Sequence, residues 1–242
     1  MFNYKITIQY DGTRYAGWQI QENAITIQEV ISKSVKQILQ EEIILIGAGR
    51  TDAGVHALGQ VANFEMSREL DLFKFKYSLN SVLPDDISIT NIEPVDEKFH
   101  ARFSAKKRSY LYLISNQKSP FFERYSYTLY SEFNQDKLNE LSSTLVGIQD
   151  FTSFCKTNTD VQNKICEVYE AKWRRQKNFF IFYIEANRFL YGMVRAIVGS
   201  LLKAHSSEEG INYFKYIFSM KDRSAAADAV PAKGLFLYKV KY

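Results

Sequence analysis

The sequence predicts an α+β fold, with strands that carry helices on one face and leave the other face open to a ligand. Three observations predict it. Segments alternating polar and apolar residues are interleaved with segments of helical period along all 242 residues. The order of element types in the first hundred residues recurs in the remainder, which indicates layered α+β halves. Aromatic residues make up 15% of the chain, with 18 Phe and 16 Tyr, and such rings suit a β-rich core.

In chain order, Tyr4–Tyr10 alternates and reads as a strand, and Asp11-Gly12 signals a turn. Thr26-Ile27-Gln28-Glu29 is a capping box, which satisfies orphan N–H groups at a helix start. The stripe Ile27, Val30, Ile31, Val35, Ile38 and Leu39 continues that helix. Ile43–Ile46 reads as a short buried strand, Gly47–Gly54 as a glycine-rich loop and Ala57–Glu65 as a second strand. A helix over Leu70–Asn80 and a strand over Ile87–Ile92 complete the first set. The second set holds a strand at Arg108–Ile114, a helix at Asn134–Val146, and a hairpin of Ile165–Trp173 and Phe179–Ala186 about Gln176-Lys177-Asn178. Helices at Leu190–Leu202 and Glu208–Met220 and a strand at Leu235–Val240 follow. The join near Ala101–Lys107 divides the chain into expected domains 1–104 and 105–242.

Composition removes several classes of function. Lys plus Arg is 31 and Asp plus Glu is 27, a net charge of +4 that by itself does not require a nucleic-acid partner. A hydrophobic share of 46% and a charged share of 24% are ordinary for a globular protein. Two cysteines, Cys155 and Cys166, make no disulfide scaffold. His56, His100 and His205 lack metal-ligand spacing, so no metal is expected. The first residues do not read as a signal or transit peptide, and no apolar run has the length of a membrane span. A reducing, cytoplasmic setting is the expectation, with no membrane partner.

The most informative segment is Gly47-Ala48-Gly49-Arg50-Thr51-Asp52-Ala53-Gly54-Val55-His56-Ala57. Its glycines permit positive φ and close approach of another backbone. A phosphate-binding P-loop needs Gly-Lys-Ser/Thr opening a helix, which is absent. A dinucleotide fingerprint also leads into a helix, whereas a strand is expected here. What remains is a carboxylate, Asp52, on a tight loop, with Arg50 two residues before it. From spacing alone, a turn aspartate capping backbone N–H groups is the commoner role.

With its neighbours this segment resembles the tRNA pseudouridine synthase A family. The resemblance rests on five segments in family order, spread over nearly the whole chain. They are Tyr10-Asp11-Gly12-Thr13-Arg14-Tyr15-Ala16-Gly17-Trp18-Gln19-Ile20-Gln21, the loop Gly49–Ala57, Ala101–Ala105 with Arg108-Ser109-Tyr110-Leu111-Tyr112, Phe189–Gly199, and Pro231-Ala232-Lys233-Gly234-Leu235. The resemblance implies a pseudouridine synthase fold: two similar α/β-sandwich, ferredoxin-like halves with a mixed, mainly antiparallel sheet and a central cleft. It implies isomerisation of uridine to pseudouridine at positions 38, 39 and 40 of the tRNA anticodon stem-loop. No cofactor is implied; the partners are tRNA and a second copy in a homodimer.

The resemblance also assigns residues. Asp52 matches the essential aspartate, which either attacks C1′ of an extruded nucleotide or abstracts the C2′ proton to give a glycal. Tyr110 matches an active-site tyrosine that stacks on the uracil and helps remove the C5 proton. Arg195 matches the basic partner that keeps the aspartate ionised. Leu235 matches an apolar residue beside the uracil. Arg50 is expected to contact phosphate or fill the gap left by the flipped base. Without the resemblance, Tyr110 and Leu235 read as strand core residues, and Arg50 and Arg195 as solvated arginines. His56 is given no chemical role. Arg14, Arg102, Lys106, Lys107, Arg108, Arg124, Arg174, Arg175 and Arg188 are expected RNA contacts. Two features depart from the family: the segment Cys155–Cys166 is less basic, and Leu111 stands where a basic residue is common. An RNA-binding module without catalysis and a nucleoside glycosidase are the rival functions. A glycosidase would call for a paired acid carboxylate, and no second carboxylate stands out.

Overall fold

The computed structural model describes residues 1–157 and 161–242. Positions 158–160, which belong to the less basic segment noted above, lie outside the described residues. In chain order the strands are β1 (Phe2–Tyr10), β2 (Ile46–Gly47), β3 (His56–Met66), β4 (Ile87–Val95), β5 (Lys107–Ser115), β6 (Tyr127–Thr128), β7 (Gly147–Asp150), β8 (Ile165–Gln176), β9 (Phe179–Ala186) and β10 (Leu235–Lys241). The helices are α1 (Ile27–Leu39), α2 (Leu72–Val82), α3 (Gln135–Ser143), α4 (Met193–His205) and α5 (Gly210–Met220). The fold is therefore α+β, with two compact units: Met1–Lys106 with Phe236–Tyr242, and Lys107–Leu235. Among the described residues, no helix is long and apolar enough to cross a membrane.

In the first unit the strand order is β4-β1-β3-β10, with β2 paired to β3. Strand β1 runs antiparallel to β3 and β4, whereas β10 runs parallel to β3, pairing Phe236 with His56 and Leu237 with Ala57. This departs from the expected 105–242 domain: Phe236–Tyr242, which includes the two residues paired with β3, groups with the first unit. Alternate β1 residues Tyr4, Ile6, Ile8 and Tyr10 are buried, as are Ile27, Ile31 and Val35 from α1. Helix α1 begins where the capping box requires, with Thr26 Oγ1 accepting from the Glu29 N–H at 3.4 Å. It ends at Gln40 in the left-handed region, φ 56. Helix α2 is capped by Asp71, whose Oδ1 accepts from the Lys74 N–H at 3.1 Å. It packs against β4 and α1.

In the second unit the order is β5-β9-β8-β7, all antiparallel, with the short β6 parallel to β5. The hairpin β8–β9 turns at Lys177, φ 52. Helix α3 packs on β8 and α4, and α4 on α5. Tyr112, Trp173, Phe182, Ile197 and Phe214 are among the fully buried side chains.

Two further expectations change. The strand expected at Ile43–Ile46 is confined to Ile46–Gly47, and the apolar run is buried only at Leu45, with Ile44 81% exposed. Helix α4 begins at Met193 rather than Leu190, because Gly192 takes φ +71 and interrupts the helical run. Strands β6 and β7 had no local signal in the sequence.

Candidate active site

The loop between β2 and β3 carries Asp52 and is held mostly by main chain. The Trp18 N–H donates to the Thr51 carbonyl at 3.1 Å, and the Gly54 N–H to the Tyr15 carbonyl at 3.3 Å. Within the loop, the Val55 N–H donates to the Asp52 carbonyl at 3.2 Å, and the Ala48 N–H reaches the Val61 carbonyl at 2.7 Å. Two side chains add to this. The hydroxyls of Tyr10 and Thr51 are 2.8 Å apart, and Gln60 Nε2 donates to the Gly49 carbonyl at 2.9 Å. The N-terminal segment thus wraps the loop, and its glycines allow the approach. A Cβ on Gly12 would stand 2.0 Å from the Val55 carbonyl oxygen, and one on Gly17 2.4 Å from that of Thr51. Gly17 also takes φ +94, which side chains resist.

On this mount Asp52 is half-buried and Arg50 is exposed. The loop leads into a strand, so no helix N-terminus stands ready for a phosphate, in keeping with the rejection of both nucleotide motifs. His56, given no role from the sequence, is buried and stacked on Phe236 at 4.7 Å. Its Nδ1 accepts from the Gly12 N–H at 3.1 Å and lies 3.1 Å from Asp11 Oδ1. It therefore braces the start of the wrapping segment. Its placement inside the glycine-rich motif was the signal available.

Tyr110, Arg195 and Leu235 belong to the second unit. Tyr110 is 8% exposed on β5 and meets Phe189 edge-on at 5.0 Å. Tyr112, two residues on along the same face, is fully buried. Its hydroxyl donates to the Pro231 carbonyl at 2.9 Å. Burial holds that hydroxyl well above the ordinary tyrosine range, with the Arg195 guanidinium pulling the other way, so it stays a donor. Arg195, on α4, is half-buried, and its Nε donates to the Val230 carbonyl at 2.7 Å. Leu235 is buried and begins β10. The segment Val230–Leu235 thus draws Arg195, Tyr112 and Leu235 into one local arrangement, in which Tyr112 had not been anticipated.

The small residues of α4 divide their work. Gly199 admits the Asp228 carbonyl, 2.1 Å from where a Cβ would sit. Gly192 has nothing within 4 Å and serves by its positive φ instead.

Several expected RNA contacts have partners inside their own unit. Arg14 Nε lies 3.3 Å from Asp86 Oδ2, and Lys107 Nζ lies 3.3 Å from Glu185 Oε1. Arg108 and Arg188 donate to the carbonyls of Asn187 and Asn163. Among the described residues, no three His, Cys, Asp or Glu side chains cluster to hold a metal. A cavity of about 740 Å³ is lined by Asp136, Glu140, Glu208 and Glu209 among others and contains none of the candidate residues. Its carboxylates make it a poor site for a polyanion.

Chemically, Asp52 is a carboxylate in partial contact with solvent on a tightly braced turn, suited to attack an electrophilic carbon or remove a proton. Comparison with known proteins narrows this. A family described as tRNA pseudouridine synthase matches residues 6–104 and 141–242. A tRNA pseudouridine synthase A from Thermoanaerobacter sp. (strain X514) is 41% identical over 244 residues, covering all of both chains. The Clostridium acetobutylicum protein of that name is 43% identical over 244 residues, again covering all of both. The Bacteroides fragilis one is 43% identical over 99% of this chain and 96% of its own. Among solved structures, a chain in the crystal structure of a Cbf5-Nop10-Gar1 complex overlays on 83% of this chain and 44% of its own. The TM-score is 0.40 and the identity 14%, too low to bear on fold or function.

Proposed function

The chain belongs to the tRNA pseudouridine synthase family, and we propose that it isomerises uridine to pseudouridine at positions 38, 39 and 40 of the tRNA anticodon stem-loop. The observation that carries the reading is the mount of Asp52, a glycine-rich turn braced by the N-terminal segment inside the family-matched region. The reaction breaks the N1–C1′ bond, turns the uracil, forms a C5–C1′ bond, releases the C5 proton to solvent and takes one up at N1, so product and substrate are isomers. It needs no cofactor.

In this reading Asp52 acts on the ribose of an extruded nucleotide, at C1′ as nucleophile or at C2′ as base. Extrusion itself costs a few kcal/mol, and Arg50 offsets part of that by contacting phosphate or filling the vacated stack. Tyr110 faces the uracil and assists loss of the C5 proton. Arg195 supplies the positive charge that keeps Asp52 ionised. Leu235 gives the base an apolar neighbour. Two copies related by a two-fold axis extend the basic surface available to one tRNA.

The test is tRNA labelled with tritium at uracil C5. Release of tritium with the base retained on the chain supports isomerisation. Free uracil would indicate a glycosidase, and binding without either would leave an RNA-binding module. Substrates with a single uridine at position 38, 39 or 40 test the positions, and release from uridines elsewhere would overturn them.

A further inference from the structure

Residues 226–235 of the second unit run as a strap along α4 and β5. The Ala227 N–H donates to Ser200 Oγ at 3.1 Å, and the Asp228 carbonyl enters the space that Gly199 leaves. Both main-chain groups of Val230 are bonded to residue 195. Its carbonyl accepts from Arg195 Nε at 2.7 Å, and its N–H donates to the Arg195 carbonyl at 3.2 Å. On β5, the Tyr112 hydroxyl holds the next carbonyl, that of Pro231, at 2.9 Å. Gly234 crosses the same ring, where a Cβ would lie 2.8 Å from Tyr112 Cζ. Only Ala232 and Lys233 lie between these two contacts, Gly234 closes the three-residue turn Ala232–Gly234, and Leu235 is the residue that follows it.

We propose that Tyr112 is a positioning residue for the isomerisation: its hydroxyl fixes the strap at Pro231 so that Leu235 is presented to the target base in one geometry. The inference rests on the reading of Leu235 given above. A phenylalanine would fill the same buried space, so the hydroxyl is the one feature by which this residue differs from an ordinary core ring. That feature is spent on the strap. A turn of three residues, gripped just before it and at its last residue, passes a displacement at Pro231 to Leu235 with little slack. A misplacement of about 1 Å lowers the rate of an enzyme reaction by on the order of a hundredfold. Loss of one of several anchors displaces the strap by less than that.

The experiment measures single-turnover tritium release at saturating enzyme beside the dissociation constant for the same tRNA. Tyr112→Phe is expected to lower the saturating rate about tenfold with the dissociation constant changed by less than about twofold. In a Leu235→Ala background the same substitution is expected to change the rate by less than about twofold, because the hydroxyl acts through that residue. A lowered melting temperature with an unchanged saturating rate would overturn the inference, as would losses that multiply in the double variant. Should Tyr112→Phe not fold, Ser200→Ala removes the anchor at Ala227. A loss of about threefold in rate at unchanged affinity is then expected, and an unchanged rate overturns the proposal. Wild-type protein that releases no tritium would instead remove the isomerase reading itself. Wild-type release with an unaffected Tyr112→Phe rate removes only the role of Tyr112.

Discussion

The loop that carries Asp52 and the strap that ends at Leu235 are both irregular segments held in place, but by different means. The loop is secured by main-chain bonds to Tyr15, Trp18 and Val61, and by glycines that let two backbones touch. The strap is secured largely by side chains reaching main-chain groups: Arg195 to Val230, Tyr112 to Pro231, and Ser200 from Ala227. A segment held by backbone contact tolerates loss of a side-chain atom and fails when an atom is added. A segment held by side chains fails when an atom is removed. The turn at Asp52 is closed through the residue's carbonyl, so the carboxylate proposed as catalytic can be altered without removing that bond.

The largest effect tests that separation. Asp52→Asn keeps the shape and the carbonyl but removes the charge. It is expected to lower tritium release by at least about a thousandfold while tRNA binding stays within a few-fold and the melting temperature hardly moves. Appreciable turnover by this variant would remove Asp52 from the chemistry. A collapse in stability would show that the carboxylate, not the main chain, holds the loop.

Next is Arg195→Met, which deletes both a charge and the bond to Val230. A loss of about a hundredfold in rate is expected, together with about 1–2 kcal/mol of stability from the lost anchor. Arg195→Lys sharpens the result. Lysine restores charge but not the fixed planar donor, so about a tenfold deficit is expected to persist. Full recovery in the lysine variant would mean that charge alone matters and that the bond to Val230 is incidental.

Gly17→Ala probes the loop from the opposite side, by adding one carbon. That carbon would stand 2.4 Å from the Thr51 carbonyl oxygen at φ +94. Roughly 2–4 kcal/mol of destabilisation is expected in denaturant titrations, with activity falling as the loop shifts. A variant as stable as the wild type would show that the wrapping segment is not tightly seated.

How far the sequence could be read follows from the same contrast. Helix α1 was legible to its ends, because a capping box and a 3.6-residue stripe are local features. The loop around Asp52 was legible because close backbone approach leaves glycines at Gly12 and Gly17, the Trp18 ring leaves one at Gly47, and a positive φ leaves one at Gly54. The return of β10 to the first unit was not, since parallel pairing with His56 and Ala57 joins residues about 180 positions apart and leaves no local pattern. Ile43–Ile46 misled because an apolar run states what favours burial, not what is available to cover it. The strap was hidden for a similar reason. A tyrosine that holds a distant carbonyl has the same letter as one that only fills a core, and Tyr112 sits in a strand where the second use is ordinary.

The smallest effect decides whether the contrast is real. Tyr10→Phe and Tyr112→Phe each delete one buried hydroxyl, the first bonded to Thr51 at 2.8 Å and the second to Pro231 at 2.9 Å. Each is expected to lose about 1 kcal/mol of stability, since each breaks one hydrogen bond. Their rates are expected to diverge. Thr51 is also held through its own carbonyl by Trp18, and its neighbours by Tyr15 and Val61, so the loop stays seated and Tyr10→Phe keeps its saturating rate within about twofold. The strap has less main-chain reserve: the Pro231 nitrogen carries no hydrogen to donate, and the main-chain bond beside it is the single one from the Val230 N–H to the Arg195 carbonyl. Equal rate losses in the two variants would mean that both segments are held alike, and the distinction between backbone-held and side-chain-held elements of this enzyme would fail.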